Sequence, residues 1–172
     1  TQKILSGQTA TAAVTVVEVS AGSYALSEEG GPSGYTASSW VCQGGTQTNN
    51  NIALKNGESA VCTITNNDQP AKLTLVKTVT NDDGGKALPG AWTLNAQGPS
   101  PLSGTTPVSG AVNAGLYTLS ETNGPTGYAA GDWTCVLTGT TTPVNVTNSQ
   151  VNLTVGQDVT CTINNNDTAA TL

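Results

Sequence analysis

The stretch that decides the fold is Gly115-Leu-Tyr-Thr-Leu-Ser-Glu121, because a closely similar stretch, Gly22-Ser-Tyr-Ala-Leu-Ser-Glu28, occurs earlier in the chain. Apolar and polar residues alternate in both, as in a strand with one buried face. The similarity continues downstream, where Gly31-Pro-Ser-Gly-Tyr35 returns as Gly124-Pro-Thr-Gly-Tyr128. Because the second set of motifs follows the first at a constant distance in the sequence, the pattern predicts a tandem array in which each copy is one structural module.

Two further motifs extend the repeat. Trp40-Val-Cys42 returns as Trp133-Thr-Cys135, and Cys62-Thr-Ile-Thr-Asn66 returns as Cys161-Thr-Ile-Asn-Asn165. Both copies therefore place one cysteine pair at matching positions, and the second copy has a longer loop between its two cysteines.

The repeat boundaries predict three segments. Residues 1–69 form an N-terminally incomplete module whose first two strands are missing, 70–168 a complete module, and 169–172 the start of a following module or a linker. A chain without methionine is expected to be a processed product or an excerpt of a longer one.

Seven strands are predicted in the complete module, at 72–80, 91–97, 107–112, 115–121, 131–138, 150–155 and 158–165. Seven short strands in about a hundred residues predict an all-β fold of Ig-like or transthyretin-like sandwiches.

Composition excludes several functional classes. Only 9% of residues are charged and 4% are aromatic, a composition that suggests disorder. However, β-branched residues alternate with other residues over 12–19 and 73–79, and this pattern favours a folded β protein. The chain has no histidine, so it lacks the usual proton shuttle and metal ligand, and neither cofactor nor metal is expected. A net charge of -6 argues against nucleic acid as a partner, and no apolar run is long enough for membrane insertion.

The four cysteines are expected to form disulfides, Cys42 with Cys62 and Cys135 with Cys161. Alternation allows both sulfurs of a pair to point into the core between two strands. Such bonds persist in an oxidising compartment, which predicts a secreted or cell-surface protein. The alternative, a metal site, lacks the close cysteine spacing and the further ligands that zinc requires.

Strand parity also aims three polar side chains at the core of the complete module. Lys77 shares a strand face with Leu73 and Leu75, Glu121 with Tyr117 and Leu119, and Asn165 with Cys161 and Ile163. Burying these groups unpaired costs several kcal/mol, so we expect them to meet one another.

These motifs resemble the collagen-adhesin B-type, SpaA-like, prealbumin-like repeats of bacterial surface adhesins and pilins. The resemblance rests on Leu73-Thr-Leu-Val-Lys77, on Tyr117-Thr-Leu-Ser-Glu121 with its downstream Gly-Pro-Thr-Gly-Tyr, and on Ile163-Asn-Asn165. It implies that Lys77 attacks Asn165 to form an intramolecular isopeptide bond, assisted by a protonated Glu121. This autocatalytic reaction happens once per molecule, so the protein is not an enzyme acting on a substrate. Asn164 and Asn166 flank the expected acceptor, and a salt-bridged triad without a bond remains the alternative.

In the first copy, Glu28 and Asn66 match the glutamate and asparagine. No lysine there occupies the first-strand position, and Lys55, in a turn-like stretch, is a poor substitute. Upstream residues, or a strand from a neighbouring subunit, must then complete this module.

The leading functional hypothesis is a structural repeat of an extracellular bacterial fibre, pilus-like filament or adhesin stalk. Its partners would be neighbouring identical or similar modules in a homopolymer or tandem array, with a host or surface ligand also open. The alternative is a module that itself binds a carbohydrate, ice or a host protein.

Weaker signals point elsewhere but have simpler explanations. Carboxylates near turns or junctions could bind calcium but are more simply exposed turn residues: Asp68, Asp82, Asp83 and Asp167. Trp40, Trp92 and Trp133 could stack on sugars, although Trp40 and Trp133 recur beside cysteines and suggest core packing.

Overall fold

The computed structural model describes residues 17–172, and their regular structure is almost entirely β-strand. Within this range the helical structure is a single 3-10 turn at Pro89–Ala91. The all-β class is therefore confirmed. The chain divides into two compact units: unit 1 comprises the described residues up to Gly31 together with Thr36–Asn67, and unit 2 comprises Pro32–Tyr35 and Asp68–Leu172. The predicted module boundaries stay a prediction.

The first seven strands of the described range are short. They are β1 (Gly22–Ala25), β2 (Tyr35–Ala37), β3 (Val41–Gln43), β4 (Thr46–Thr48), β5 (Asn51–Leu54), β6 (Val61–Thr63) and β7 (Asn66–Asp68). They pair as a three-stranded sheet in the order β1-β5-β4 and as two strand pairs, β3-β6 and β2-β7. Among the described residues of unit 1, only Ile52 is buried.

Part of the first-copy prediction lies outside the described residues. This applies to 12–16 of the alternating run over 12–19 and to the segment at 4–7 that matches Pro101-Leu-Ser-Gly104. Val17–Val19, the described end of that run, is not in a strand.

Unit 2 contains the longer strands. They are β8 (Ala71–Thr80), β9 (Thr93–Gln97), β10 (Leu102–Gly104), β11 (Val108–Val112), β12 (Gly115–Thr122), β13 (Tyr128–Ala130), β14 (Thr134–Leu137), β15 (Pro143–Val144), β16 (Val146–Thr147), β17 (Gln150–Leu153) and β18 (Asp158–Asp167). Each of the seven predicted strands overlaps one of these. The short strands β10, β13, β15 and β16 were not predicted.

Two sheets form unit 2. A five-stranded sheet has the order β10-β9-β12-β17-β16, and a six-stranded sheet has the order β11-β8-β18-β14-β15, with β13 also pairing β18. Their inward residues form a single apolar core, which includes Leu73, Leu94, Tyr117 and Ile163. Because side chains alternate between the faces of a strand, these core residues fix which other side chains also point inward.

The strands that open and close unit 2 lie side by side. β8 and β18 pair in parallel, with Lys77 opposite Ile163 and Val79 opposite Asn165. β18 therefore has β8 along one edge and β14 with β13 along the other. This arrangement brings the predicted lysine and asparagine close together on one inner face.

No helix among the described residues is long and apolar enough to cross a membrane.

Candidate functional site

The candidate site lies where the inner face of β8 continues past its apolar residues. Leu73 and Leu75 are fully buried, and Lys77, two residues further on the same face, is only 3% exposed. Alternation thus places an amine in an otherwise apolar layer. The backbone N–H of Lys77 donates to Thr106 Oγ1 at 2.8 Å, which fixes the strand at this residue.

Glu121 joins the two sheets at this point. It lies on β12 in the five-stranded sheet, while Lys77 and Asn165 lie on the six-stranded sheet. Its Oε2 is 2.7 Å from Lys77 Nζ, and its Oε1 accepts a hydrogen bond from Asn165 Nδ2 at 2.6 Å. One carboxylate therefore holds the amine and the carboxamide together.

Asn165 faces this site, whereas its neighbours do not. Asn165 is 2% exposed, and its Oδ1 finds no hydrogen-bond partner within the described part of the chain. Asn164 is exposed on the opposite strand face, where its Oδ1 accepts from Thr78 Oγ1 at 3.0 Å. The structure thus brings together Lys77, Glu121 and Asn165 from the predicted set. That an isopeptide bond joins two of them stays a prediction.

Burial controls the protonation of the amine. Desolvation lowers the pKa of Lys77 below its ordinary value, and the hydrogen bond and charge of Glu121 oppose this effect only in part. A larger fraction of the side chain is consequently neutral than in a solvent-exposed lysine. A neutral amine is the nucleophilic form.

Trp92 covers the amine, and sequence reasoning missed this role. Lys77 Nζ lies 4.8 Å from the centre of the indole ring, and Trp92 is only 3% exposed. Trp92 contacts Tyr128 edge to face, with ring centres 5.3 Å apart. Its alternation with Leu94 and Ala96, both fully buried, was the available signal that it points inward. Burial of Trp92 and of Trp133 contradicts a sugar-stacking role for either residue.

The Gly-Pro-Thr-Gly-Tyr motif holds Trp92 in place. A Cβ atom on Gly124 would lie 1.9 Å from Trp92 Nε1, so only glycine leaves room for the indole. Tyr128, at the end of the motif, donates from its hydroxyl to Asn81 Oδ1 at 2.6 Å and accepts from Ala87 N–H at 2.9 Å. The motif therefore closes the candidate site from the side of the first-strand turn.

Both predicted disulfides are confirmed. Cys135 and Cys161 are directly opposite on β14 and β18, and Cys42 and Cys62 are directly opposite on β3 and β6. The first of these pairs lies in the core of unit 2, whereas the second is only half-buried.

The expectation that Asp167 is an exposed turn carboxylate is wrong. Asp167 is 5% exposed and accepts backbone N–H groups from Asp82, Asp83 and Gly85 at 2.9, 2.9 and 2.6 Å. Burial alone raises the pKa of Asp167, but these hydrogen bonds outweigh it and hold the pKa below its ordinary value. Its oxygens lie within 4.8 Å of those of the exposed Asp82 and Asp83. These backbone N–H groups already satisfy both carboxylate oxygens of Asp167. The cluster of three aspartates is therefore explained by its role in anchoring the turn after the first strand of unit 2.

Unit 1 contains the matching glutamate and asparagine in a different environment. Asn66 Nδ2 donates to Glu28 Oε1 at 2.6 Å, but both residues are exposed. Among the described residues of this unit no lysine contacts the pair, and Lys55 is exposed beside a turn. The acid and the amide are therefore together in both units, whereas among residues 17–172 a buried amine accompanies them in unit 2 alone.

Unit 2 is therefore a two-sheet β-sandwich in which a lysine, a glutamate and an asparagine of the first, a middle and the last strand are in contact. The model of a SpaA family, described as a prealbumin-like fold domain, matches residues 1–64 and 68–163. The chain belongs to this family.

Two further comparisons complete the picture. The structure of the major pilin protein T3.2 from Streptococcus pyogenes is similar, with a TM-score of 0.44 and 15% sequence identity over 89% of this chain and 70% of the pilin. The comparison with curated proteins gave no match.

Proposed function

We propose that this chain is a structural segment of an extracellular bacterial fibre, built from modules of which unit 2 is locked by an isopeptide bond between Lys77 and Asn165. The observation that carries the proposal is the contact of both groups with one carboxylate, Glu121. The two disulfides support an oxidising, extracellular location. The role is structural, and the bond formation is a single intramolecular event rather than turnover.

The chemistry begins with a proton transfer inside the ion pair. Moving one proton from Lys77 Nζ to Glu121 across their 2.7 Å contact gives a neutral amine and a neutral acid. This step conserves the total charge of the pair. Desolvation assists this transfer, because burial disfavours the charged form of the amine and lowers the pKa of Lys77.

The acid can then activate the amide. A carboxamide keeps its shape when its oxygen and nitrogen exchange places, so a half-turn of the Asn165 side chain directs Oδ1 at Glu121. Protonated Glu121 then donates to that oxygen, polarises the carbonyl and favours attack by Lys77 at Cγ. The Nζ–Cγ bond forms, the Cγ–Nδ2 bond breaks, and one proton of the neutral amine joins the departing NH2 group, which leaves as ammonia while Glu121 retains the proton it received first.

The intact mass of the chain with its disulfides reduced tests this proposal. We expect a mass lower by one ammonia than the sequence requires, and a branched peptide joining Lys77 to Asn165 after trypsin digestion. Lys77→Ala and Asn165→Ala should each restore the full mass. Lys72→Ala and Asn164→Ala are matched controls because both residues are exposed on the same two strands, and they should retain the loss. An unmodified wild-type mass would contradict the proposal.

At the level of the fibre, we propose that similar modules are the partners of each unit. Unit 1 would be completed either by upstream residues or by a strand that a neighbouring subunit adds. Such strand addition links modules through backbone hydrogen bonds.

A further inference from the structure

The backbone of Lys77 lies just beyond the point where β8 and β11 stop pairing. β11 begins at Val108, which is opposite Leu75, and Lys77 is two residues further along β8. The residue before Val108 is Pro107, which has no N–H and cannot donate to a strand ladder. The ladder between the two strands therefore ends before it reaches the lysine.

A side chain takes the place of the next ladder bond. The N–H of Lys77 donates to Thr106 Oγ1 at 2.8 Å, and Thr106 lies in the loop that leads from β10 to β11. Lys77 is only 3% exposed, so water has little access to this N–H, and leaving it unpaired would be costly. The hydroxyl of Thr106 thus satisfies a buried backbone donor at the residue that carries the amine.

This bond matters for the amine because different neighbours fix the two ends of Lys77. The backbone has Ile163 of β18 opposite it on one edge of β8 and Thr106 on the other edge. Nζ lies 2.7 Å from Glu121 Oε2, in the facing sheet. A shift of the backbone at Lys77 therefore moves Nζ relative to its partners. A misplacement of about 1 Å can slow a reaction about 100-fold.

We propose that Thr106 is a positioning residue for isopeptide formation, because its hydroxyl holds the backbone of Lys77 where the amine reaches Asn165. This inference rests on the proposed function, since it concerns the rate of the same reaction. Thr106 acts through the strand and takes no part in the proton transfer between Lys77 and Glu121. Without the hydroxyl, the N–H must find another acceptor, and β8 moves at this residue.

Two substitutions of Thr106 separate the hydroxyl from the rest of the side chain. Thr106→Val keeps the shape and removes the hydroxyl, whereas Thr106→Ser keeps the hydroxyl. The full chain is synthesised in a cell-free reaction and quenched in acid at intervals, and the mass of the reduced chain reports the loss of one ammonia. A brief pulse of protease on parallel samples gives the folded fraction. Per folded chain, we expect Thr106→Val to lose ammonia about tenfold more slowly than wild type, and Thr106→Ser to stay within about threefold.

Thr74→Val is the matched control. Thr74 Oγ1 and Ser109 Oγ are 2.8 Å apart on the exposed faces of β8 and β11, so this change also removes a hydroxyl contact between the same two strands. It leaves the N–H of Lys77 paired, and we expect the wild-type rate. Amide hydrogen exchange at Lys77, measured in the Asn165→Ala background where no bond can form, should be about tenfold faster with Thr106→Val and unchanged with Thr74→Val.

Wild-type speed in Thr106→Val would overturn the inference, as would an equal slowing in Thr74→Val or in Thr106→Ser. A Thr106→Val chain that does not fold even at low temperature would also overturn it, because the hydroxyl would then serve the fold rather than the placement of the amine. A wild-type chain that never loses ammonia would overturn the proposed function itself. Loss at the same rate in wild type and Thr106→Val would overturn only the positioning role, so the two failures are distinguishable.

Discussion

Lys77 is a charged residue in an otherwise apolar core, and it is also the proposed nucleophile of the isopeptide bond. Its side chain is fully buried beside apolar residues, where an unpaired ammonium would cost several kcal/mol, and Glu121 offsets this by contact at 2.7 Å. Parity along β8, β12 and β18 was sufficient to predict that Lys77, Glu121 and Asn165 point inward. Parity could not supply Thr106 or the Tyr128 contacts, because those contacts depend on loops that bring distant parts of the chain together.

The indole above Lys77 gives the first prediction. Gly124→Ala should push Trp92 from its position, because the new Cβ would lie 1.9 Å from the indole nitrogen. We expect water to reach the amine and isopeptide formation to slow by about tenfold, which is at the lower end of what such positioning contributes. The measurement is the time course of ammonia loss by mass spectrometry after refolding.

Gly127→Ala is the control for this change. Gly127 has a positive φ of 82°, so alanine strains the same loop, but nothing lies within 4 Å of the new Cβ. An equal slowing in both variants would show that loop strain, rather than displacement of Trp92, is responsible.

Asp167 gives a prediction about pH. Its pKa is below the ordinary value of 3.8 in the folded state, so its contribution to stability is fully present above that value and is lost as pH falls through the folded pKa. Asp167→Asn should therefore lower the stability of unit 2 at neutral pH, and the difference from wild type should shrink in acid. Thermal unfolding followed from pH 7 downward measures this, and a difference that is constant with pH would contradict it.

At the scale of elements, alternation located the long strands and missed the short ones. The strands β8, β12 and β18 are long enough that the alternation of apolar and polar residues indicates which face is buried. β15 and β16 have two residues each, too few for any period to be visible. β13 was missed because the Gly-Pro-Thr-Gly residues before it are typical of a loop, and because its pairing with β18 joins residues that are far apart in the sequence.

The disulfide between β14 and β18 gives a prediction at this scale. Replacing Cys135→Ser and Cys161→Ser together should lower the free energy of unfolding of unit 2 by about 3 kcal/mol, because the open chain gains conformational entropy. Two polar hydroxyls in the core would add to the loss. Urea unfolding measures the change, and the pair Cys42→Ser with Cys62→Ser serves as a comparison in which the half-buried site loses less packing.

For the whole molecule, the proposed bond changes what force can do. A Lys77–Asn165 link would close a loop and add about 4 to 5 kcal/mol of stability by the entropy of closure. Under tension applied at the ends of unit 2, load would pass from β8 into β18 through the bond. Wild-type unit 2 should therefore show no extension from the residues between these two positions.

Single-molecule stretching would measure this. Asn165→Ala should release the segment between 77 and 165, except for the loop that the Cys135–Cys161 disulfide keeps closed, and lengthen the chain by about 200 Å when the unit unfolds. Asn164→Ala, on the solvent face of the same strand, should behave as wild type. Release of the same length from wild type would show that the segment is not bridged.

The parallel pairing of β8 with β18 also gives unit 2 a polarity. The chain enters unit 2 at Ala71, where β8 begins beside Asp158, and leaves after Asp167, where β18 ends beside Thr80, so entrance and exit are separated by the length of a ten-residue strand, about 30 Å. An antiparallel pair would have returned the exit to the entrance. In a polymer of such modules, each copy would lengthen the fibre instead of folding the chain back on itself.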